Sequence, residues 1–335
     1  MDPKNRDTLL KLLGIIIILF IVMNFIPTGY YVMSPGIAQE LSPMITVEDG
    51  NKGESRGDFL LTAVASQKAT VWDYIYISLF KPNGKQLDPI QDELPPGVDM
   101  EEYIQIMAEL MDESKLHSQA VAFNEAGYDY EVTGEGARVV EILDEGSARD
   151  KLSEGDIIVG VEGKEVDFAT DAVDYIRENK IGDNIAIEVL RDGKVKEFDL
   201  ETVEIKNNPD KASIGVLITT ENLNYKFPRN VNFKTDNIVG PSAGSVFALE
   251  IYNQLTPEDI TKNNRIAGTG SISSDGEIGK IDGVTQKVLA AEKVEADIFL
   301  APEANYDEAK AAASEIKVIS VKNFSDAIES LEKNL

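Results

Sequence analysis

An apolar helix is predicted to begin at Gly240-Pro241-Ser242-Ala243-Gly244 and to continue through Val246-Phe247-Ala248-Leu249. The two glycines permit a tight backbone around the serine, and the proline fixes the direction from which the chain enters. Amide groups at the start of a helix have no intrahelical partner, so those beside Ser242 can hold an oxyanion next to its hydroxyl. Gly240 and Ala243 are therefore expected to support Ser242 as a nucleophile. Taken alone, the segment is explained almost as well by a serine that caps the helix.

A lysine on a later predicted helix is the candidate base. This helix begins near Gly283, and the positions three and four residues from Lys287 are Gly283, Val284, Ala290 and Ala291. A surface lysine normally has polar neighbours at those positions, so Lys287 is expected in or beside the buried face. Burial disfavours the ammonium ion and lowers the pKa of a lysine, as a general base near neutral pH requires. The alternative is a lysine that extends from the edge of an apolar stripe into solvent.

The composition excludes most other hydrolase chemistries. The 335 residues include no cysteine and one histidine, His117, which excludes disulfides, thiolate nucleophiles, cysteine-bound zinc and a two-histidine metal site within one chain. Ser-Lys dyads, N-terminal threonines, paired carboxylates and carboxylate-bound metals remain. Acidic residues outnumber Lys and Arg by 59 to 32, for a net charge of −27, whereas phosphate binding needs a basic face. We expect no nucleic-acid partner, and nothing in the sequence calls for a metal or a cofactor.

The N-terminal region has the pattern of a membrane anchor. Leu12–Ile26 is almost entirely apolar, and with the two preceding leucines it offers about 18 residues, or about 27 Å of helix, close to the thickness of a bilayer core. We expect a cytoplasmic tail over 1–8 and a transmembrane helix over 9–29, followed by an interfacial aromatic pair, Tyr30-Tyr31. Basic residues before the helix predict a single-pass cell-membrane protein with a cytoplasmic N-terminus, an extracytoplasmic bulk and the lipid bilayer as a partner. A cleaved signal peptide and a buried core helix are the alternatives.

The region that follows the anchor is predicted to contain strands and then a long helix. The strands are Met44–Val47, Phe59–Val64 and Val71–Leu79, which are rich in β-branched and aromatic residues. The helix is expected from about Met100 to Glu125, with an N-cap at Asp99. The lone histidine falls within this helix, and no acid and serine accompany it, so we interpret it as a packed or polar helix residue.

Residues from about 130 to 205 have their own pattern of predicted strands, turns and one helix. In order, it contains a strand, Gly146-Ser147-Ala148, the segment Leu152–Ile158, Gly163-Lys164, a helix and a closing hairpin with Arg191-Asp192-Gly193. This order resembles bacterial PDZ domains, and we assign it to 129–206. The resemblance implies a mainly β domain that takes an extended peptide, often a C-terminus, as an added strand beside a helix. The peptide carboxylate is expected near Thr133-Gly134-Glu135-Gly136; a spacer that only packs on its neighbour is the alternative.

The last third of the chain alternates strands and helices. Strands are predicted at 213–219, 266–272, 298–300 and 318–321, and helices are predicted to begin at Ser242, Gly283, Tyr306 and Ser325. Such alternation is typical of an α/β domain.

Several motifs of this α/β region resemble the proteolytic domain of Lon proteases. They are Gly240–Gly244, Gly268-Thr269-Gly270, Gly283–Lys287 leading into two alanines, and Ile298–Pro302. In that family the serine of the first motif is the nucleophile and the lysine is its base, which implies these roles for Ser242 and Lys287. Thr269 matches the family's threonine that contacts the lysine amine, so an orienting role is implied.

The resemblance extends over nearly the whole chain. It implies an α/β (α+β) Lon-type protease domain built from 38–128 and 207–335, with the PDZ domain inserted between the two parts and one N-terminal transmembrane helix. This arrangement is similar to the membrane-anchored PDZ-containing Lon-like serine proteases of Gram-positive bacteria. Relatives with this domain often form rings, which makes a homo-oligomer a further expectation.

Two features depart from the soluble Lon enzymes. Val239 stands where they usually have an acid, and the sequence contains no P-loop for ATP. A competing lysine, Lys280, lacks both the matching offset from Thr269 and the apolar helical face of Lys287. We expect an ATP-independent, membrane-anchored serine endopeptidase that cleaves extracytoplasmic proteins or peptides, which the PDZ domain recruits or gates. The alternative is a non-catalytic, membrane-tethered PDZ adaptor whose Lon-like domain is structural.

Overall fold

A computed structural model of the chain describes residues 13–15, 18, 20, 22–26, 28–51, 57–90, 100–143, 146–205, 208–235 and 238–335. These residues divide into two units. Unit 1 contains the described residues up to Asp129 together with Phe227–Leu335, and unit 2 contains Tyr130–Lys226. The chain therefore leaves unit 1, forms unit 2 and returns to complete unit 1.

The expected membrane anchor lies partly outside the described residues. This applies to residues 9–12, 16, 17, 19, 21 and 27, and to the whole expected tail over 1–8. Among the residues that the structure describes, no helix is both long and apolar enough to cross a bilayer. The expected interfacial pair Tyr30-Tyr31 begins strand β1 (Tyr30–Glu40), where Tyr31 is only 7% exposed. The interfacial interpretation of Tyr31 is wrong, because its side chain packs inside unit 1.

Four strands and two helices lie completely within the described residues of the first part of unit 1. They are β1 (Tyr30–Glu40), β2 (Ile45–Val47), β3 (Asp58–Lys68), α1 (Val71–Phe80), β4 (Gln86–Pro89) and α2 (Met100–Glu125). The predicted long helix is confirmed as α2, while its predicted N-cap, Asp99, lies outside the described residues.

The prediction of a strand over Val71–Leu79 is wrong, because these residues belong to helix α1. A capping box starts the helix: Thr70 Oγ1 accepts from the Asp73 amide at 3.1 Å, and the Asp73 carboxylate accepts from the Thr70 amide at 3.0 Å. Ile77 is buried in a small cluster with Val32. The cap and this burial outweigh the β propensity of the side chains, which depends strongly on context.

Unit 2 is mainly β and contains one helix in its described part. Its elements are β5 (Glu131–Thr133), β6 (Ala137–Ile142), β7 (Ile157–Val161), β8 (Lys164–Glu165), α3 (Ala169–Arg177), β9 (Asn184–Arg191), β10 (Lys194–Glu201), β11 (Val203–Ile205), β12 (Asn208–Ser213), β13 (Val216–Thr220) and β14 (Asn224–Lys226). The main sheet has the order β10-β9-β7-β6-β13, so β13 lies at an edge. A core that includes Val139, Ile158 and Ile187 fills the unit.

Unit 2 extends beyond the 129–206 expected for the PDZ segment. Strand β13 pairs antiparallel with β6, and β14 pairs antiparallel with β5. Both pairings join residues after position 206 to strands at the start of the unit. The chain therefore returns to unit 1 at Phe227 rather than at residue 207.

The second part of unit 1 confirms the predicted alternation of strands and helices from Ser242 onward, whereas the strand predicted over 213–219 lies in unit 2, where β12 ends at Ser213 and β13 begins at Val216. Its elements are β15 (Val231–Phe233), a 3-10 turn (Pro241–Ala243), α4 (Gly244–Leu255), β16 (Arg265–Gly268), β17 (Ser271–Ile272), β18 (Ile278–Gly279), α5 (Val284–Lys293), β19 (Ile298–Pro302), a second 3-10 turn (Glu303–Asn305), α6 (Tyr306–Ala312), β20 (Lys317–Val321) and α7 (Phe324–Asn334). Two details differ from the predictions. The strand expected over 266–272 is interrupted at Thr269-Gly270, and Ser242 lies in a 3-10 turn ahead of α4.

The main sheet of unit 1 is mixed and has the order β20-β19-β16-β3-β1-β4. The four strands from β20 to β3 pair in parallel, and β1 pairs antiparallel with β3 and β4. Ala267 packs in the same core as Val284 and Val288 of α5, whereas a Cβ at Gly268 would lie 2.8 Å from Val246 of α4. Since successive strand residues face opposite sides, α4 and α5 cover opposite faces of the sheet at the end of β16.

Candidate active site

Three predicted site residues meet at the end of β16. Lys287 Nζ lies 2.8 Å from Ser242 Oγ and 2.9 Å from Thr269 Oγ1. The Thr269 hydroxyl donates to the Ser242 carbonyl oxygen at 2.9 Å. A hydroxyl has one proton to donate, so Thr269 Oγ1 must accept its hydrogen bond from Lys287. These bonds hold the lysine nitrogen at the serine hydroxyl.

The turn that carries Ser242 is held by the backbone around it. Gly240 has a φ of +94°, which favours glycine, and its amide donates to the Met107 carbonyl at 3.0 Å. Besides the Thr269 hydroxyl, the Ser242 carbonyl accepts from the Gly270 amide at 2.8 Å. Ala243 is buried directly after the serine. The expected supporting residues Gly240 and Ala243 therefore lie in the same rigid turn as Ser242.

Two serines of α2 also support this turn, and sequence reasoning missed them. Ser114 Oγ donates to the Pro241 carbonyl at 3.1 Å. The Ser118 hydroxyl shares its one proton between the Ser114 carbonyl at 2.6 Å and the Gly244 carbonyl at 2.8 Å. Both serines are buried, and they lie one helical turn apart. A Cβ at Gly244 would come within 2.5 Å of Ser114 Oγ, so only glycine allows α2 to approach so closely. The sequence pattern that could have revealed them is a pair of small polar residues at positions i and i+4 on a helix face that is otherwise apolar.

Thr269 is positioned by the interruption between β16 and β17. Its amide donates to the Leu300 carbonyl at 3.2 Å, which continues the pairing with β19 for one residue. Gly270 then adopts a φ of +151°, and its carbonyl accepts from the Ser245 amide at 3.0 Å. The chain thus turns toward the start of α4, and the threonine, which is 1% exposed, faces the lysine.

Lys287 is buried at 3% exposure on the first turns of α5, after Gly283 at a φ of +70°. Burial lowers the pKa of Lys287 to about 8, against an opposing effect from Asp282. The alternative of a lysine that extends into solvent is therefore wrong. The competing Lys280 is exposed and lies in the wall of a different cavity.

The region that holds the three side chains matches a known protease domain. Residues 235–333 match the family model of the Lon protease (S16) C-terminal proteolytic domain. Residues 115–202 match the PDZ domain model. Together with the relatives below, the Lon match supports a serine protease.

Two curated relatives are Lon proteases. A Lon protease of Trichlorobacter lovleyi is 33% identical over 99 residues, which is 28% of this chain and 12% of that protein. Lon protease 2 of Bacillus subtilis is 28% identical over 122 residues, which is 36% of this chain and 21% of that protein. The chain thus spans about an eighth and a fifth of the length of these relatives. A solved PDZ domain of the SdrC-like protein of Listeria monocytogenes is 27% identical; the alignment covers 26% of this chain and 92% of that structure, with a TM-score of 0.24.

A cavity of about 450 Å³ lies beside the nucleophile turn of the Lon-like region. Its wall includes Pro241, Ile272, Ile278 and the single histidine, His117. His117 Nδ1 lies 3.2 Å from the Ile272 carbonyl oxygen, so this nitrogen carries the proton. The histidine therefore packs in the wall of the cavity, in line with its interpretation as a packed helix residue.

Two amides of the expected carboxylate loop in the PDZ-like unit form hydrogen bonds within the unit. The amide of Glu135 donates to the Glu221 carbonyl at 2.9 Å, and the amide of Gly136 donates to the Asp167 carbonyl at 3.0 Å. Thr133 pairs with β14, and a Cβ at Gly134 would lie 2.2 Å from the Asp167 carbonyl oxygen. The amides of Glu135 and Gly136 are therefore already used within unit 2, and the peptide site at Thr133–Gly136 stays a prediction.

A groove elsewhere in unit 2 has the features of a peptide site. It is a cavity of about 220 Å³ between α3 and the edge strand β13, and its apolar lining includes Ile176, Val216 and Ile218. Two exposed cations, Arg177 and Lys211, also line it, and neither forms an ion pair with another described residue. Sequence reasoning missed the groove because β13 follows position 206, the end that we expected for the domain.

Proposed function

We propose that this chain is a membrane-anchored, ATP-independent serine endopeptidase of Gram-positive bacteria, with Ser242 as nucleophile and Lys287 as general base. The observation that carries the proposal is the 2.8 Å contact between Lys287 Nζ and Ser242 Oγ at a buried lysine. The pKa of this lysine, lowered to about 8, leaves part of the population neutral at physiological pH. A neutral amine has the lone pair that a general base needs.

Acylation uses the short contact directly. Ser242 Oγ attacks the peptide carbonyl carbon while its proton passes to Lys287 Nζ. The negative charge that develops on the carbonyl oxygen is stabilised by backbone amides beside Ser242. The C–N bond then breaks, and the proton on Lys287 is transferred to the leaving amine. The product is an ester between the substrate carbonyl and Ser242.

Deacylation repeats the proton transfers with water. Lys287 removes a proton from the attacking water, and the ester C–O bond breaks after the second tetrahedral intermediate. The carboxylic product leaves, and the lysine returns its proton to Ser242 Oγ. Thr269 is a positioning residue, because it holds the lysine nitrogen without exchanging a proton with substrate.

Substrate access follows from the two cavities. The sequence carries no P-loop, so we propose that substrates arrive extended or unfolded and pass the cavity beside Pro241. Strand β13 lies at a sheet edge, and an added peptide strand could pair with it beside α3, recruiting or gating substrates. The extracytoplasmic location rests on the charge and hydropathy of the N-terminal region, and a homo-oligomer rests on the family resemblance alone.

Turnover of an unfolded model protein tests the proposal. We expect the unmodified chain to cleave it, and Ser242→Ala and Lys287→Ala to lose cleavage by at least about a thousandfold. Circular dichroism checks that both variants fold. If both variants lose cleavage but still bind peptide, the pure adaptor is excluded. Equal turnover by all three proteins would exclude the dyad.

A further inference from the structure

Helix α1 exposes a continuous aromatic and apolar face. Trp72, Tyr76, Leu79 and Phe80 are separated by three or four residues along the helix and therefore share one side, which we call the aromatic stripe. Leu79 is 72% exposed and Phe80 is 70% exposed, and the rings of Tyr76 and Phe80 are tilted against each other with centroids 5.5 Å apart. The opposite side of α1 is attached to unit 1 through buried Ile77. The stripe is thus a fixed surface rather than a mobile tail.

The aromatic stripe is continuous with the apolar N-terminal region. The ring of Phe20 stacks on Trp72 with centroids 4.6 Å apart, and Trp72 Nε1 donates to the Phe20 carbonyl at 3.1 Å. Phe20, Val22 and Phe25 are themselves exposed. Exposed apolar side chains therefore run from the described N-terminal residues onto α1.

The charges around α1 differ from those of the whole chain. The chain carries a net charge of −27, yet residues 68–85 contain three lysines and one acid. The acid, Asp73, is engaged in the capping box with Thr70. Lys68, Lys81 and Lys85 are exposed, and none forms an ion pair with another residue in the part of the chain that the structure describes. The segment that contains α1 is therefore locally basic, with Lys81 directly after Phe80 of the stripe.

We propose that the aromatic stripe lies in the headgroup region of an anionic lipid bilayer, with α1 roughly parallel to the membrane surface. Trp, Tyr and Lys are the side chains enriched at membrane interfaces, since each joins an apolar body to a polar end. A second copy of the chain would cover the stripe less well, because lysines are depleted from protein interfaces. This contact holds unit 1 against the membrane at a second point, after the N-terminal region.

The test uses the full chain reconstituted into vesicles of phosphatidylcholine with phosphatidylglycerol. The sequence has no cysteine, so Leu79→Cys and Phe80→Cys can each carry one environment-sensitive fluorophore. Val195→Cys, at an exposed apolar residue of unit 2, is the matched control. We expect the labels at 79 and 80 to brighten at least about twofold and to be quenched by lipids brominated near the headgroup, as interfacial burial requires. The label at 195 should remain quenchable by aqueous iodide.

The outcomes separate this proposal from the proposed membrane anchor, on which it rests, and from the catalytic role. Flotation of the labelled chain with the vesicles reports membrane attachment by any segment, and the labels at 79 and 80 report the stripe. If the chain floats with the vesicles but the labels at 79 and 80 stay quenchable by aqueous iodide, the stripe proposal is overturned and the anchor is left intact. Protection from iodide without quenching by brominated lipid, together with disulfide-linked dimers of the Phe80→Cys variant, would show that a second copy covers the stripe and would also overturn it. Loss of the lipid signal when Lys81→Glu and Lys85→Glu are combined with the label would support it.

Discussion

Lys287 Nζ donates to Ser242 Oγ at 2.8 Å although the two residues are 45 positions apart. They belong to segments on opposite faces of one sheet. They meet where β16 ends, at the interruption between β16 and β17 formed by Thr269-Gly270. The sheet thus acts as the spacer that sets the distance between nucleophile and base. Because Lys287 is buried, its protonation state is tied both to activity and to stability.

The first prediction concerns the pH dependence of cleavage. The proposed base acts only when neutral, and burial places the pKa of Lys287 at about 8. We expect kcat/KM for a short peptide to rise with pH and to reach half its maximum near pH 8. Lys287→Arg should be inactive throughout, because a guanidinium stays protonated. A flat profile between pH 6 and pH 10 would contradict the role of this lysine.

The second prediction concerns stability. The pKa of Lys287 is about 8 in the folded chain, against an ordinary lysine value of 10.5, which applies to the unfolded chain. The buried ammonium therefore destabilises the fold below pH 8. The shift corresponds to about 3 kcal/mol, and this penalty disappears as pH rises from 8 to 10.5, where the unfolded chain binds more protons. Lys287→Met should therefore raise the melting temperature at pH 7 and lose that advantage near pH 10.5. Calorimetry across this range checks it, and a lower melting temperature for the variant at pH 7 would contradict it.

The third prediction concerns Thr269 as a positioning residue. Thr269→Val keeps the shape but removes the acceptor for Lys287 and the donor to the Ser242 carbonyl. We expect kcat to fall roughly tenfold to a hundredfold with little change in KM. The half-maximum of the pH profile should shift to lower pH, because the ammonium form loses a hydrogen bond. Thr269→Ser should restore most of the rate, and an unchanged pH profile in Thr269→Val would leave the threonine with a structural role only.

The fourth prediction concerns the packing of α2 on the nucleophile turn. In Gly244→Ala, the new methyl group would lie 2.5 Å from Ser114 Oγ and 2.7 Å from Ile272 Cγ2, so we expect a loss of about 1–3 kcal/mol in unfolding free energy and reduced cleavage. Adding Ser114→Ala removes one of the two clashing atoms and should recover part of the loss. Gly14→Ala is the control, because nothing lies within 4 Å of its Cβ position. Strictly additive effects of the two substitutions would contradict the proposed contact.

The fifth prediction concerns the groove between α3 and β13. The exposed cations Arg177 and Lys211 line it, and we expect the double variant Arg177→Glu/Lys211→Glu to bind peptides that end in a free carboxylate roughly tenfold more weakly. The double variant Lys194→Glu/Lys196→Glu, an equal change of charge at exposed sites outside the groove, should bind normally. Fluorescence anisotropy of labelled peptides measures both. Unchanged binding in the double variant would place the peptide elsewhere on unit 2.

Local patterns in the sequence were enough to predict several elements. Helix α2, the strand and helix alternation after position 240 and the buried face around Lys287 all follow from periodicity and from turn residues, which act over short distances. The same signals misassigned Val71–Leu79, where a two-residue capping box outweighs β propensity. Periodicity and turn residues thus locate helices and strands along the chain, but in a short apolar run they distinguish a strand from a helix poorly.

The relationships that create the sites required the tertiary structure. Ser114 and Ser118 reach the nucleophile turn only because α2 packs against α4, and β13 joins the sheet of unit 2 by pairing with a strand more than 70 residues earlier. By itself the sequence excluded the cysteine and two-histidine chemistries, and its resemblance to Lon proteases implied Ser242 and Lys287 as nucleophile and base. Only the tertiary structure decided that Ser242, Thr269 and Lys287 share hydrogen bonds, because distances between chain segments depend on how strands pair and helices pack.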